Sequence, residues 1–150
     1  MINTSVPYLI GNEKKYLNEC IKENYVSAVG KFIIKFENKF KKIYKYNYVA
    51  AVSSGTAALH LSLKALGVKK NDLIILPSYT FAATANAILY CQAKPWFFDI
   101  SRDNLTIDLD KVEKTLKKKT FIKKNICYLK KTKQIIRGII PVFTFGLCPD

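Results

Sequence analysis

The chain has 150 residues, of which 49% are hydrophobic and 13% aromatic, and its formal net charge is +14. This composition predicts a packed globular protein and argues against a disordered one. No apolar run reaches the about 18–20 residues of a membrane span, and the first residues lack the segments of a signal peptide, so we expect a cytoplasmic protein without a membrane anchor. The four cysteines are scattered without a Cys-x-x-Cys pair, which favours reduced thiols over a metal site or a disulfide framework.

The positive charge comes almost entirely from lysine, because arginine occurs only at Arg102 and Arg137. Surfaces that bind nucleic acid usually use arginine with aromatic residues between the basic ones. A lysine-rich sequence that is also rich in Ile, Asn, Tyr and Phe is more typical of a genome-wide compositional bias. The charge therefore argues against a nucleic-acid partner, although a basic α/β module for a phosphorylated or nucleic-acid partner stays open as an alternative.

Residues 1–47 are predicted to form an N-terminal helical segment. A first helix is expected after an N-cap at Asn12. In a second helix, Phe32, Phe36 and Phe40 recur at intervals of four residues and form an aromatic stripe, with lysines on the opposite face. We interpret the stripe as core packing and not as a binding surface.

A possible anion site follows this segment. The apolar run from Val49 to Val52 predicts a buried strand, Ser53-Ser54-Gly55 predicts a tight turn, and a helix is predicted from Thr56 to a C-terminal cap at Gly67. The first N–H groups of a helix have no internal partner and carry about half a positive charge, so a phosphate fits against such a turn. A helix that is entered through a serine cap without any ligand explains the same pattern.

Two nucleotide-binding loops are excluded at this turn. A P-loop requires a lysine after its last glycine, and none follows Gly55. A dinucleotide fingerprint requires three glycines at fixed offsets, and only one is present. The turn therefore indicates a monophosphate.

Residues 48–150 are predicted to form one α/β domain. Strands are expected at 73–76, where Pro77 ends a continuous apolar run, and at 95–100. Helices are expected over 81–90 and over 109–116, the second with Asp108 as its cap. Together with the strand at Val49, this alternation predicts a mainly parallel sheet covered by helices.

The carboxyl ends of parallel strands lie at one edge of the sheet, and ligands bind outside that edge. This rule places the segments 53–56 and 78–81 on the same rim. After Lys117 the pattern is less regular. Residues 125–128 and 134–140 are predicted to pair as a hairpin, and the apolar run 138–146 predicts one more core strand. A chain that stops soon after a buried strand suggests an incomplete domain.

Several of these segments, in this order, resemble the first part of the DegT/DnrJ/EryC1/StrS aminotransferases. The matching segments are Ser54-Gly55-Thr56-Ala57-Ala58-Leu59-His60, Pro77-Ser78-Tyr79-Thr80-Phe81-Ala82-Ala83-Thr84-Ala85-Asn86-Ala87-Ile88, Phe98-Asp99-Ile100, Pro141-Val142-Phe143-Thr144-Phe145-Gly146 and, nearer the N-terminus, Val26-Ser27-Ala28-Val29-Gly30-Lys31. The family pattern has a histidine where Phe143 stands. The resemblance covers essentially the whole chain.

The resemblance implies the large domain of an aspartate-aminotransferase-like fold (fold type I), here incomplete, and a homodimer with active sites at the subunit interface. It implies pyridoxal 5′-phosphate as cofactor, a nucleotide-linked keto sugar as substrate and an amino acid, glutamate, as amine donor, in amino-sugar, surface-polysaccharide or nonulosonate biosynthesis. Three residues match the turn that binds the cofactor phosphate, namely Gly55, Thr56 and Ala57. Phe81 matches the aromatic residue on the pyridine ring. Gly30 and its neighbour Val29 match a loop near the sugar.

The resemblance assigns no catalytic residue within the chain and no metal ligand. In the family, the lysine that binds the cofactor covalently lies downstream of the segment that matches 141–146. We therefore expect the 150 residues alone to be inactive, as the N-terminal portion of a longer enzyme. A non-catalytic remnant, or one half of a split enzyme, is the alternative within the same family. His60 is interpreted as a packed, hydrogen-bonded, neutral residue of its helix and not as a catalytic base.

Overall fold

A computed structural model describes residues 6–27 and 30–148. The chain divides into two compact units, the first ending at Ala51 and the second beginning at Val52, whereas the sequence predicts a boundary between residues 47 and 48. Each unit is described by itself. Within the described ranges, every helix is too short or too polar to cross a bilayer.

The first unit contains two helices among its described residues, α1 over Glu13–Lys22 and α2 over Lys31–Tyr44. Asn12 is the N-cap of α1, as predicted, but its side chain makes no capping hydrogen bond. The rings of Phe36 and Phe40 lie 4.6 Å apart, yet these residues stay 49% and 36% exposed. The prediction that the stripe packs in a core is therefore wrong for these two rings in the described unit. Spacing of four residues brings rings together on one helix, but a closed core also needs apolar surface from other elements.

Lys31 joins α1 to the start of α2. Its ammonium group forms ion pairs with Glu19 and with Glu23, the latter with a separation of 2.7 Å between Nζ and Oε1. The hydrogen bond from Lys31 lowers the pKa of Glu19, and the hydrogen bonds to Glu19 and Glu23 raise the pKa of Lys31. These groups remain partly exposed to solvent, so the contacts orient the two helices more than they stabilise them.

The second unit is an α/β structure with a parallel sheet, which confirms the predicted fold class. Its elements in chain order are α3 Gly55–Ala65, β1 Leu73–Pro77, α4 Ala82–Tyr90, β2 Lys94–Phe98, α5 Leu109–Lys119, β3 Thr120–Lys123, β4 Ile126–Leu129, β5 Ile136–Ile139 and the 3₁₀ turn Thr144–Gly146. The sheet has the strand order β2-β1-β5, and both neighbours of β1 run parallel to it. A separate antiparallel pair is formed by β3 and β4.

The central strand β1 is buried along its whole length, as its continuous apolar run predicts. Ile74 and Leu76 face one layer, which contains Leu63 at the end of α3 and Ile88 of α4. Ile75 faces the other layer, which contains Val112 of α5. The sheet is therefore covered by helices on both faces.

Two predicted helix ends are confirmed. Gly67 has a φ of +74°, its N–H donates to Lys64 O, and the N–H of Val68 donates to Leu63 O. This is a Schellman cap, in which glycine supplies the left-handed backbone. Asp108 caps α5 by accepting a hydrogen bond of 2.9 Å from the N–H of Lys111, and that bond lowers the pKa of Asp108.

The strand predicted from Val49 to Val52 is absent. None of these residues lies in a strand, and Val52 is 40% exposed. The N–H of Ala51 donates to the carboxylate of Glu37 at 2.9 Å and not to a neighbouring strand. An apolar run becomes a strand only when another strand accepts its hydrogen bonds, and the run itself does not supply that partner.

The predicted pairing of 125–128 with 134–140 occurs only as one antiparallel bridge, between Tyr128 and Ile135. The extended hairpin has a different partner strand. Residues 126–129 pair with 120–123, which the sequence reading left outside any strand, and the chain turns through Lys124 and Asn125 with φ values of +50° and +59°. Of the last apolar run, 138–146, only residues 138 and 139 lie in a strand, as the end of β5, which pairs with β1. Thr144–Gly146 form a 3₁₀ turn. In the turn between β3 and β4, two consecutive left-handed residues give a twist that matches a hairpin, here without the usual glycine.

We expect Lys124→Asn to stabilise the second unit by about 0.5–1 kcal/mol, because asparagine tolerates the left-handed backbone better than lysine does. Urea unfolding of the two proteins measures the difference. Lys123→Asn is the matched control, since Lys123 lies in β3, where asparagine is disfavoured and should destabilise. Equal effects at the two positions would contradict the explanation.

A second test concerns the ion pair that joins the starts of β1 and β5. Arg137 Nε lies 3.0 Å from Oδ2 of Asp72, which is 5% exposed. Arg137→Leu should lower the free energy of unfolding by about 2 kcal/mol, because it leaves a buried carboxylate without its cation. The exposed Arg102, changed to leucine, should alter stability by less than about 0.5 kcal/mol in the same urea experiment.

Candidate functional site

The N-terminus of α3 is an open corner. The helix begins at Gly55, and the hydroxyl of its N-cap Ser54 accepts a hydrogen bond of 3.2 Å from the N–H of Ala57. The N–H of Ala58 donates to Ser54 O at 3.0 Å. Within residues 6–27 and 30–148, no hydrogen bond uses the N–H of Gly55 or Thr56. Two donors at the positive end of the helix are therefore free to bind an anion.

The space around Gly55 agrees with this. A Cβ built on Gly55 would meet no atom within 4 Å, and Gly55 is exposed. The corner is neither closed by side chains nor buried, so a phosphate could reach the backbone from solvent. Glycine is not required there to avoid a clash.

A second segment, Ser78–Phe81, follows the carboxyl end of β1. The N–H of Ser78 donates to Phe98 O at 2.8 Å, which holds the segment against the end of β2. The hydroxyls of Thr80 and Thr84 share a hydrogen bond of 2.8 Å that braces the start of α4. Phe81 is the N-cap residue of α4 and is 82% exposed. Its ring is thus available to a ligand and is not part of the core.

The topology relates the two segments. The helix α3 ends shortly before β1 begins, and α4 begins shortly after β1 ends. Both helices pack on the same face of the sheet, through Leu63 and Ile88. Both therefore run back along β1, and both start toward the end of the sheet where Pro77 lies.

A recess of about 340 Å³ lies beside Phe81, and the sequence reading missed it. Its far wall comes from the 3₁₀ turn after β5, where Phe145 is 81% exposed and has a φ of +53°. Because the apolar run 138–146 predicts a strand there, the apolar pattern gives no indication of a turn that could line a recess. The flanking Pro141 and Gly146 were the available signals for a turn. The recess is lined by Tyr79, Thr80, Phe81, Val142, Thr144 and Phe145.

The remaining predicted site residues lie elsewhere or outside the description. Gly30 is the N-cap of α2 in the first unit, and a Cβ built on it would lie 3.5 Å from Tyr25 Cβ, an ordinary contact. Val29 lies outside the described residues. Their role near a sugar stays a prediction. His60 lies in α3 with its ring edge-on to Tyr90 at 5.7 Å, in keeping with a packed residue, but no side-chain hydrogen bond among the described residues uses its ring. In the described ranges, no three acidic, histidine or cysteine side chains gather as metal ligands.

Comparison with known proteins decides the family. A sequence model described as the DegT/DnrJ/EryC1/StrS aminotransferase family matches residues 7–150. The chain belongs to this family. It is 42% identical over 120 residues to a GDP-perosamine synthase of Vibrio cholerae, and the aligned residues cover 80% of this chain and 33% of that protein. A GDP-perosamine synthase of Caulobacter vibrioides is 37% identical over 149 residues, covering 99% of this chain and 36% of the relative.

Solved structures agree on the fold. A DegT DnrJ EryC1 StrS aminotransferase from Brucella abortus superposes with a TM-score of 0.76 at 26% identity, over 91% of this chain and 34% of that chain. The protein Spr1654 from Streptococcus pneumoniae, in its PLP-form, has a TM-score of 0.75 at 24% identity, over 99% of this chain and 34% of its own. The present chain spans about a third of the length of the relatives it matches.

We expect Ser54→Ala to lower the free energy of unfolding by about 1 kcal/mol, because it removes the acceptor for the N–H of Ala57. Urea unfolding measures the loss. Ser53→Ala is the matched control, since no hydrogen bond among the described residues uses its hydroxyl, and it should have almost no effect. A large loss in the control would mean that the corner is held by other contacts.

Proposed function

We propose that this chain forms the part of a sugar aminotransferase that holds the phosphate and one ring face of pyridoxal 5′-phosphate. The observation that carries the proposal is the open start of α3. Two N–H donors, those of Gly55 and Thr56, lack partners in the described structure, and the corner is open to solvent. Family membership adds that the matching segment belongs to an aminotransferase.

The residues present fit the phosphate of this cofactor. Backbone donors at a helix N-terminus bind a single phosphoryl group without a lysine or a metal ion. The N–H groups of Gly55 and Thr56 would donate to it. Ala57 adds little as a donor, because its N–H is already bonded to Ser54, so its contribution would be to keep the corner free of bulk.

Phe81 fits the ring of the cofactor. A flat apolar face in contact with a conjugated ring contributes about 0.5–1.5 kcal/mol beyond simple burial. The ring is exposed beside a recess, at the end of the sheet toward which α3 also starts. When bound, the cofactor supplies the electron sink that amine transfer requires. The chain's own contribution is to bind and orient it.

We assign the covalent lysine to none of the lysines in this chain. We propose that it belongs to the part of the relatives' length that this chain does not span, and that activity needs that part as well. The proposed substrate is a nucleotide-linked keto sugar, supported by the names of the GDP-perosamine synthases among the relatives. Glutamate as donor, a homodimer, and a sugar contact by Gly30 and Val29 are further parts of the proposal.

The test is to measure the affinity of the protein for pyridoxal 5′-phosphate and for inorganic phosphate, each by titration calorimetry. Gly55→Glu places a carboxylate at the free donors, and we expect it to weaken both ligands by roughly tenfold or more. Gly55→Ala is the matched control and should change affinity by less than about threefold, since its Cβ meets no atom. Wild-type affinity in Gly55→Glu would overturn the phosphate site.

Phe81→Leu separates the ring contact from the phosphate contact. It should weaken pyridoxal 5′-phosphate by about twofold to tenfold and leave inorganic phosphate unchanged, because only the cofactor has a ring to stack. Phe97→Leu is the control, since Phe97 is a second exposed phenylalanine, 51% exposed, and lies in β2. An equal loss in both variants would contradict a specific role for Phe81.

A further inference from the structure

The hairpin β3–β4 and the turn after it form a surface of uncompensated positive charge. From Lys114 to Arg137 the sequence has nine lysines and one arginine, and no Asp or Glu. Within the described residues, none of the five exposed hairpin lysines takes part in an ion pair. We call these five the hairpin lysines: Lys123, Lys124, Lys130, Lys131 and Lys133.

The hairpin is anchored at the start of the strands. Leu129 N–H donates to Gln134 O at 2.9 Å, and the side-chain amide of Gln134 donates to Asn71 O at 2.8 Å, just before β1. Tyr128 also forms an isolated bridge with Ile135, immediately before β5. Since β1 and β5 are parallel, the hairpin lies at the opposite end of β1 from Ser78–Phe81. The phosphate proposed at α3 therefore does not explain these lysines.

Apolar groups accompany the charge. Phe121 and Tyr128 are cross-strand partners whose rings stack at 5.4 Å, and Lys133 Nζ lies 4.8 Å from the Phe121 centroid. Ile122, on the other face of the hairpin, is 75% exposed. A basic hairpin thus presents the exposed aliphatic side chain of Ile122 beside exposed lysines in the sequence.

These features favour lipid headgroups over nucleic acid. Single-stranded nucleic acid stacks its bases on open aromatic faces, whereas the two rings here stack on each other and Lys133 lies over Phe121. The lysine ammonium group is a point charge and lacks the planar guanidinium of arginine, which binds a phosphate through two parallel hydrogen bonds. Clusters of lysines with adjacent apolar side chains are attracted to anionic bilayers. We propose that the hairpin docks the protein on an anionic lipid surface.

The test is co-sedimentation of the full chain with vesicles of phosphatidylcholine, with and without phosphatidylglycerol. We expect sedimentation only with the anionic lipid, and loss of binding at high salt. The triple variant Lys123→Glu, Lys124→Glu and Lys133→Glu should reduce the partition coefficient by roughly tenfold or more. Thermal unfolding confirms that the variant is folded.

The matched control reverses three exposed lysines of the first unit, Lys14, Lys39 and Lys42, and so changes the net charge equally. It should lose less than about threefold in partition. An equal loss in both triple variants would overturn the proposal, because net charge alone would explain the binding. The proposal is also wrong if the wild-type protein sediments with neither kind of vesicle.

Two further measurements separate the sources of binding. Ile122→Asn keeps the charge and should still weaken vesicle binding severalfold, because an exposed aliphatic side chain no longer enters the bilayer interface. Single-stranded DNA is the competing ligand. If DNA binds more tightly than the anionic vesicles, and the hairpin variant loses DNA, the lipid proposal is wrong and the hairpin is a nucleic-acid surface.

Discussion

The burial of β1 on both faces is the constraint on which the second unit depends. Alternate side chains of one five-residue strand enter two separate apolar layers, while its edges pair with β2 and β5. A one-residue slip would exchange the two faces, so the register is strongly specified. The strand ends at Pro77, which has no N–H to continue a ladder. Everything that could bind a ligand at that end is placed by this strand.

Elements whose signals are local could be predicted from the sequence. The run 73–76 is apolar throughout and ends in proline, so a buried strand follows from its own residues. Gly67 and Asp108 act as caps through residues within a few positions of themselves, and both geometries agree with expectation. Phe81 is a different case. Local chemistry alone favours a core residue, and only the family resemblance indicated that its ring should be exposed to a ligand.

Elements that depend on distant partners could not be predicted. The run at Val49 has strand-like residues, but strand formation depends on a neighbour that its own pattern does not encode. The hairpin turns through Lys124 and Asn125, and only the asparagine is a typical turn residue, so the pairing of 120–123 with 126–129 left a weak local signal. The recess beside Phe81 needs the turn after β5 to lie near the end of β1. That proximity comes from the parallel pairing of β5 with β1 and not from either segment alone.

The two ends of β1 offer anions very different chemistry. Toward the carboxyl end, the donors are backbone N–H groups of Gly55 and Thr56, whose directions are fixed by the helix. Fixed donors suit a cofactor, because they hold one phosphate in one orientation. At the other end, the donors are ammonium groups on flexible stems, which attract negative charge without fixing its position. Such groups suit a broad surface and not a catalytic site, so the large lysine excess and the proposed cofactor site need separate explanations.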